Sequence, residues 1–323
     1  MEKLTNLEEM IMKCIWDYGE EIPFLQIGKE LKERYGKEYK RTSIRTYLFR
    51  LEDKEYLKVD KRGRNAYVYP IISEKEYRKE KAEDINTMFG DKEIKMIWCA
   101  KGGENSNTTF EYLDFQKIKK NPKIICGYSD ITSLTNIITA KTGLVTFSAT
   151  NFKTIATDET DYSYNQAIER FVNKSLELGE KTDEYKTIKE GFAEGQLIGG
   201  NLSLMRGLVV GKYSVDFTDK ILFIEELGFE TGPEMVSNHL YFMKQNGVFD
   251  KIKGLWIGNY EHESKIALEQ IVLDTLNNEY KFPIIKSNNF GHIEKKIVIP
   301  IGTMARIDTS KDNKVELTEK CLT

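Results

Sequence analysis

Histidine and cysteine are scarce in this 323-residue chain, with three of the first and four of the second. The cysteines (Cys14, Cys99, Cys126, Cys321) are scattered, without a C-x-x-C spacing and without clustered histidines, which argues against a zinc site or a disulfide framework. Cys99 and Cys126 fall in apolar runs and are expected to pack as small hydrophobes. Chemistry that needs an imidazole must draw on His239, His262 or His292. No apolar run reaches the roughly 18 residues of a membrane span. The opening "MEKLTNLEEM" has neither a basic n-region nor an apolar h-region. A cytoplasmic protein without a membrane partner is expected. Neither sign of charge dominates: the formal net charge is −3, so the molecule as a whole is no general binder of nucleic acid or lipid. There is no internal repeat and no low-complexity tract, and nothing calls for a metal or cofactor.

The length is that of two domains, and an apolar share of 40% can fill their cores. Composition changes at 74–86, "EKEYRKEKAEDIN", a charged stretch with little apolar periodicity that reads as a linker or a solvated helix. Residues 1–73 form a small helical unit. Beyond the linker, strand-length apolar runs alternate with helical patterns, which is the signature of α/β architecture.

In the first unit, Thr5 or Asn6 can cap a helix, with Glu8 or Glu9 in the capping-box position. Leu7, Met10, Ile11, Cys14, Ile15 and Tyr18 follow at helical spacing. Pro23 opens a second helix with Ile27, Leu31 and Tyr35 inward, and Gly36 closes it. A third helix begins near Thr42 with Ile44, Tyr47, Leu48 and Leu51 inward. Two alternating runs around Arg62-Gly63-Arg64 then read as a β-hairpin. Three helices and a hairpin are the order of a winged helix-turn-helix, whose third helix enters the major groove. Arg41, Thr42, Ser43 and Arg45 lie at the start of that helix and Arg50 further along, while Lys61, Arg62 and Arg64 lie at the hairpin tip. These are the candidate DNA contacts. The alternative is a solvated basic face.

The remaining residues carry two strand–glycine–polar motifs. "EIKMIWCAKGGENSN" ends an apolar run at Gly102-Gly103, a turn whose N–H groups can face a ligand. "NPKIICGYSDIT" ends a second run at Gly127 and presents Ser129 ahead of a helix. Ligands of open α/β sheets sit beyond the carboxyl ends of strands, so both motifs belong on one rim. Ser129 reads either as a helix N-cap or as a nucleophile, although G-Y-S-D lacks the second glycine of a G-x-S-x-G elbow. A nucleophile needs an oxyanion hole and a base. The N–H of Asp130 and one from Gly102 or Gly103 can supply the first. For the base, His239 sits among Leu240, Tyr241 and Phe242 at helical spacing, and His262 sits in a polar loop. His292, after Phe290-Gly291, is the remaining choice. Glu225, where the run Ile221–Ile224 emerges, can orient it.

Two resemblances go further. "LTNLEEMIMKCIWDYGEEIPFLQIGKEL" with "RTSIRTYLFRLEDKEYLKVDKRGRNAYVYPII" resembles the DNA-binding domain of the penicillinase-repressor family, over about residues 3–80. This implies operator DNA as a partner. The short helical dimerisation tail of those repressors does not follow here, and a homodimer is carried only as an option. "IKMIWCAKGG", "NPKIICGYSDITSLTNIITAKTGLVTF", "IGGNLSLMRGLV", "DKILFIEELG", "GVFDKIKGLWIGNY" and "NNFGHIEKKIVIPIGTMARID" resemble the LD-carboxypeptidase family of serine peptidases, from about Ala82 onward. "GGENSN" and "NNFGH" lean towards its microcin-immunity branch. The implied fold is a truncated Rossmann-like nucleophile half over 87–160 and a β-rich C-terminal domain over 161–323. The implied triad is Ser129, Glu225 and His292. The implied reaction is hydrolysis of an amide in a murein peptide or a microcin-like peptide–nucleotide conjugate.

Family members carry further βα units before the "IKMIWCAKGG" strand, and here the repressor-like unit stands in their place. The sheet is therefore expected to show an edge near Ile94–Trp98. This arrangement reads either as a natural fusion whose winged domain docks on the gap, or as a gene rearrangement. The functions it leaves open are a serine carboxypeptidase, a regulator with a carboxypeptidase-like sensing domain, and an inactive remnant.

Overall fold

The structure is a computed structural model that describes residues 2–103, 105–156, 158–180 and 182–322. The chain divides into two compact units, Met1–Asp84 and Ile85–Thr323.

In chain order the first unit holds α1 (Asn6–Tyr18), β1 (Ile22–Pro23), α2 (Phe24–Tyr35), α3 (Arg41–Asp53), β2 (Leu57–Arg62) and β3 (Asn65–Pro70). Thr5 caps α1, and Glu8 returns the bond to the Thr5 N–H, so two of the helix's orphan donors are satisfied. Gly36 closes α2 in the left-handed region. The buried faces are those expected from spacing: Met10, Ile11, Cys14 and Ile15, then Ile27 and Leu31, then Ile44, Leu48 and Leu51. Tyr18, by contrast, is exposed. The hairpin gains a third strand, because β1 pairs antiparallel with β3 to give the order β1-β3-β2. The charged stretch after Ser73 is helical: α4 runs Glu74–Gly90 and crosses the division between the units.

The second unit continues with β4 (Met96–Trp98), α5 (Phe115–Lys120), β5 (Ile124–Gly127), α6 (Ile131–Thr142), β6 (Thr146–Ser148), α7 (Phe152–Ile155) and α8 (Tyr162–Phe171). Then come β7 (Tyr185–Lys189), β8 (Phe192–Asn201), α9 (Leu202–Arg206), β9 (Lys220–Glu225), α10 (Pro233–Gln245), α11 (Val248–Lys251) and β10 (Gly254–Ile257). It closes with α12 (Leu268–Leu276), β11 (Ile284–Ser287), β12 (Ile299–Ile301), β13 (Met304–Asp308) and β14 (Val315–Leu317).

Two sheets result. The smaller has the order β12-β6-β5-β4, with β4, β5 and β6 parallel and β12 antiparallel. The larger has the order β14-β13-β8-β9-β10-β11-β7, with a parallel centre from β8 to β11. β12, from near the C-terminus, pairs with β6 and completes the sheet of the nucleophile half. β4 ends that sheet on the side where an edge is expected. β9 and β10 are buried along their whole apolar length, as parallel strands covered on both faces must be.

Helix α6 is the joint between the sheets. Its Asn136 side chain donates to the Gly199 carbonyl and accepts from the Gly199 N–H, and its Thr132 hydroxyl accepts from the Asn201 N–H. The "IGGN" glycines make this contact possible. Gly199 lies at φ +145°, and a Cβ there would stand 1.9 Å from the Phe223 carbonyl oxygen; a Cβ on Gly200 would stand 2.6 Å from the Thr132 hydroxyl. Glycine at these two positions therefore lets β9 and the helix that follows Ser129 approach the strand closely.

Candidate active site

Ser129 sits between β5 and α6 with φ +64°, a left-handed conformation that a serine adopts only when its surroundings impose it. Its carbonyl accepts from the Thr132 N–H, closing the turn into α6. Its hydroxyl does not cap the helix. It lies 3.1 Å from His292 Nε2. On the far side of the ring, His292 Nδ1 is 2.7 Å from Glu225 Oε2, at the end of β9. An ionised carboxylate only accepts, so the imidazole proton resides on Nδ1 and Nε2 is left to accept from the serine hydroxyl. Residues 129, 225 and 292, from three separate elements, thus form one hydrogen-bonded relay.

The glycine turn reaches this relay. A Cβ on Gly102 would lie 2.9 Å from Ser129 Cβ and 3.1 Å from its Oγ, so only a glycine lets the loop pass that close. A Cβ on Gly103 would lie 3.2 Å from Asp130 Oδ2. Asp130 explains why the loop stays. Its buried carboxylate accepts from the N–H groups of Asn105 and Ser106 and from the Ser106 hydroxyl at 2.6 Å. Sequence reasoning assigned only the backbone N–H of Asp130 and missed this anchor. The polar "ENSN" following the glycines was its signal, and within it Glu104 lies outside the described residues.

The electrostatics follow from burial and neighbours. Burial disfavours protonated His292, but the hydrogen bond and charge of Glu225, with Glu226 beyond, outweigh it and raise the pKa above the ordinary imidazole value. Glu226, unassigned from the sequence, is buried and raised by burial and by Glu225. It accepts from Asn201 Nδ2 and from the N–H groups of Ser203 and Leu227, tying the end of β9 to that of β8. The doublet Glu225-Glu226 therefore divides its work: one carboxylate holds the imidazole and the other holds the rim.

The other candidates fall elsewhere. His239 is buried on α10, and burial, aided by Arg206, lowers its pKa. His262 bonds Ser264 in a loop. Burial pushes the Cys99 thiol up to about 12. Among the described residues no group of three His, Cys, Asp or Glu side chains is arranged to hold a metal, and no helix is long and apolar enough to cross a membrane.

In the first unit, Arg41, Thr42, Arg45 and Arg50 are exposed on α3, with Ser43 half-buried; Lys61, Arg62 and Arg64 are exposed at the hairpin tip. Arg62 is engaged, bridging Asp60 and Glu21 and lying over the Tyr67 ring. Arg45 lies over Phe24 and Arg50 over Tyr47. The sequence pattern could not show these pairings, because Glu21 lies far from the hairpin in the chain.

Comparison with known proteins covers most of the second unit and begins inside the first, ahead of the onset near Ala82 expected from the motifs. The LD-carboxypeptidase N-terminal domain model matches residues 41–149 and the LD-carboxypeptidase C-terminal domain model matches 194–307. The putative carboxypeptidase YocD of Bacillus subtilis (strain 168) is 33% identical over 251 residues, covering 71% of this chain and 77% of that protein. The probable murein peptide carboxypeptidase of the same organism is 32% identical over 247 residues, covering 73% and 76%. A solved structure of MccF in complex with glutamyl sulfamoyl guanosine superposes with a TM-score of 0.70 at 26% identity, covering 76% of this chain and 82% of that one. With both domain models matched in order and the curated relatives aligned over most of their own length, this chain belongs to the LD-carboxypeptidase family.

Proposed function

We propose that the protein is a serine-type hydrolase that cleaves an amide in a murein-derived peptide or in a microcin-like peptide–nucleotide conjugate. The relay from Glu225 through His292 to Ser129 carries this reading, with Ser129 held at positive φ. His292 Nε2 takes the Ser129 proton as Oγ attacks the carbonyl carbon. The oxyanion is received by the N–H of Asp130 and an N–H of Gly102 or Gly103. His292 then gives its proton to the leaving amine, and water, activated by the same nitrogen, releases the acyl group. Glu225 orients the imidazole through Nδ1 and stabilises the imidazolium that forms. Two of the relatives named above suggest the two substrate classes: one is called a probable murein peptide carboxypeptidase, and the other is complexed with glutamyl sulfamoyl guanosine.

The test is release of D-alanine from an LD-linked murein tetrapeptide, beside cleavage of an aminoacyl sulfamoyl adenosine, by the wild type and by Ser129→Ala. Wild-type turnover of either substrate that Ser129→Ala loses is expected. Equal rates for the two proteins would overturn the reading.

A second reading rests on the first unit. Three helices, a three-stranded sheet and exposed arginines on α3 and the hairpin favour a winged helix that binds operator DNA, with the carboxypeptidase-like unit as a cytoplasmic ligand sensor. On this reading the winged unit stands in place of βα units that other family members carry, and turnover is weak or lost. Promoter-fragment titration at two salt concentrations tests it: a specific reader keeps a sequence preference while its affinity falls with salt.

A further inference from the structure

One buried charge beside the relay has no part in the mechanism above. Lys296 is 3% exposed, four residues beyond His292, in the segment that leads to β12. Its ammonium donates to the Ile293 carbonyl, adjacent to His292 in the chain. It also lies 4.3 Å from the centre of the Tyr128 ring. Tyr128 in turn meets the His292 ring edge to face, with centroids 5.2 Å apart, and directly precedes Ser129. The Lys296 backbone is pinned as well: its N–H donates to Ser163 Oγ, which itself donates to the Glu294 carbonyl. The ammonium therefore touches both the turn that carries the histidine and the aromatic ring that packs on it.

We propose that Lys296 is a positioning residue for His292, clamping the imidazole through Tyr128 and the Ile293 carbonyl while its positive charge offsets the carboxylates beside the ring. The proposal rests on the hydrolase reading for its purpose but not for its test. The charged groups facing His292 are Glu225 and Glu226 from the end of β9 and Lys296 from its own segment; Tyr128 and Ser129 face it from the turn before α6. Those facing Lys296 are Glu225, Asp158 before α8 and Glu294. The carboxylates beside the ring favour the protonated imidazole. A cation in the same dry pocket restores the neutral form at lower pH. A buried lysine is costly unless its charge is used, and burial here brings its pKa down to about 8. A cation over an aromatic face is a favourable contact of modest strength, enough to hold a ring orientation that a methylene chain alone would leave free.

The experiment reads the imidazole directly. With three histidines, His292 is assignable by NMR using His239→Gln and His262→Gln, and its titration is followed in the wild type, Lys296→Met and Lys296→Arg. Lys296→Met is expected to move the His292 titration upward by about half a pH unit or more, with Lys296→Arg close to the wild type. Where turnover is measurable, the acid limb of kcat/KM moves with it. If Lys296→Met does not fold, the wild type carries the same test. Its His292 resonance should show a second inflection where Lys296 loses its proton. An unmoved titration in a folded Lys296→Met, or a single-site curve in the wild type where that variant does not fold, overturns the proposal. Loss of turnover in Ser129→Ala and the wild type alike would bear on the hydrolase reading only, since the titration needs no substrate.

Discussion

At Ser129 the backbone and the side chain point to the same conclusion. A serine at φ +64° with its hydroxyl 3.1 Å from an imidazole is held there by its neighbours. Glu225→Gln keeps the shape of the side chain but can favour the wrong imidazole tautomer. A fall in kcat on the order of 10³–10⁴-fold with little change in KM is expected, read by steady-state kinetics. The raised pKa of His292 fixes the sign of the pH response. The base form is needed, so kcat/KM falls as pH drops through a midpoint above about 6.5. The same shift means that His292 contributes stability fully below about pH 6.5, the unfolded value, and loses it as pH rises through the folded value. Gly102→Ala would drive a methyl group against Ser129. A rate loss of about 10²-fold, with thermal stability little altered, is expected if the loop yields and withdraws its N–H.

At the scale of elements, two polar anchors align what the strands deliver. Asp130→Ala would release the N–H groups of Asn105 and Ser106 and the Ser106 hydroxyl from their acceptor. A cost of about 1–3 kcal/mol in denaturant unfolding is expected, with activity lost disproportionately because the glycine turn drifts. Gly199→Ala strikes the joint between the two sheets, where the added methyl meets the Phe223 carbonyl. Destabilisation of at least about 2 kcal/mol is expected, measured by the same unfolding. In the first unit, Arg64→Ala should reduce the salt dependence of any DNA binding by about one counterion. Arg62→Ala should instead loosen the hairpin, since its guanidinium is occupied by Asp60, Glu21 and Tyr67.

For the whole molecule the question is whether one chain carries one function or two. Linkage decides it. If the second unit senses a ligand for the first, a murein peptide must change DNA affinity, and DNA must change peptide affinity by the same factor. On the hydrolase reading the peptide leaves DNA affinity unchanged. A shift beyond about fivefold in a promoter titration with and without peptide, using Ser129→Ala to prevent turnover, would favour the regulator.

Much of this architecture was legible along the chain because its signals are local. Thr5 and Glu8, Gly36, and the periodic Ile27, Leu31, Ile44 and Leu48 report on neighbours within a turn or two, and such patterns are set by backbone geometry. The glycine-ended runs that place Gly102 and Ser129 on one rim are local in the same sense. Spacing left Ser129 between cap and nucleophile, because the choice depends on an imidazole 163 positions away. The grip of Asp130 on Ser106, the bond from Glu226 to Asn201, the insertion of β12 beside β6 and the seat of Lys296 against Tyr128 are likewise long-range. The sequence alone determined which residues were able to act. Tertiary structure decided which of them meet, because hydrogen bonds and buried charges are selected by distance in space, and periodicity along a chain carries no record of that distance.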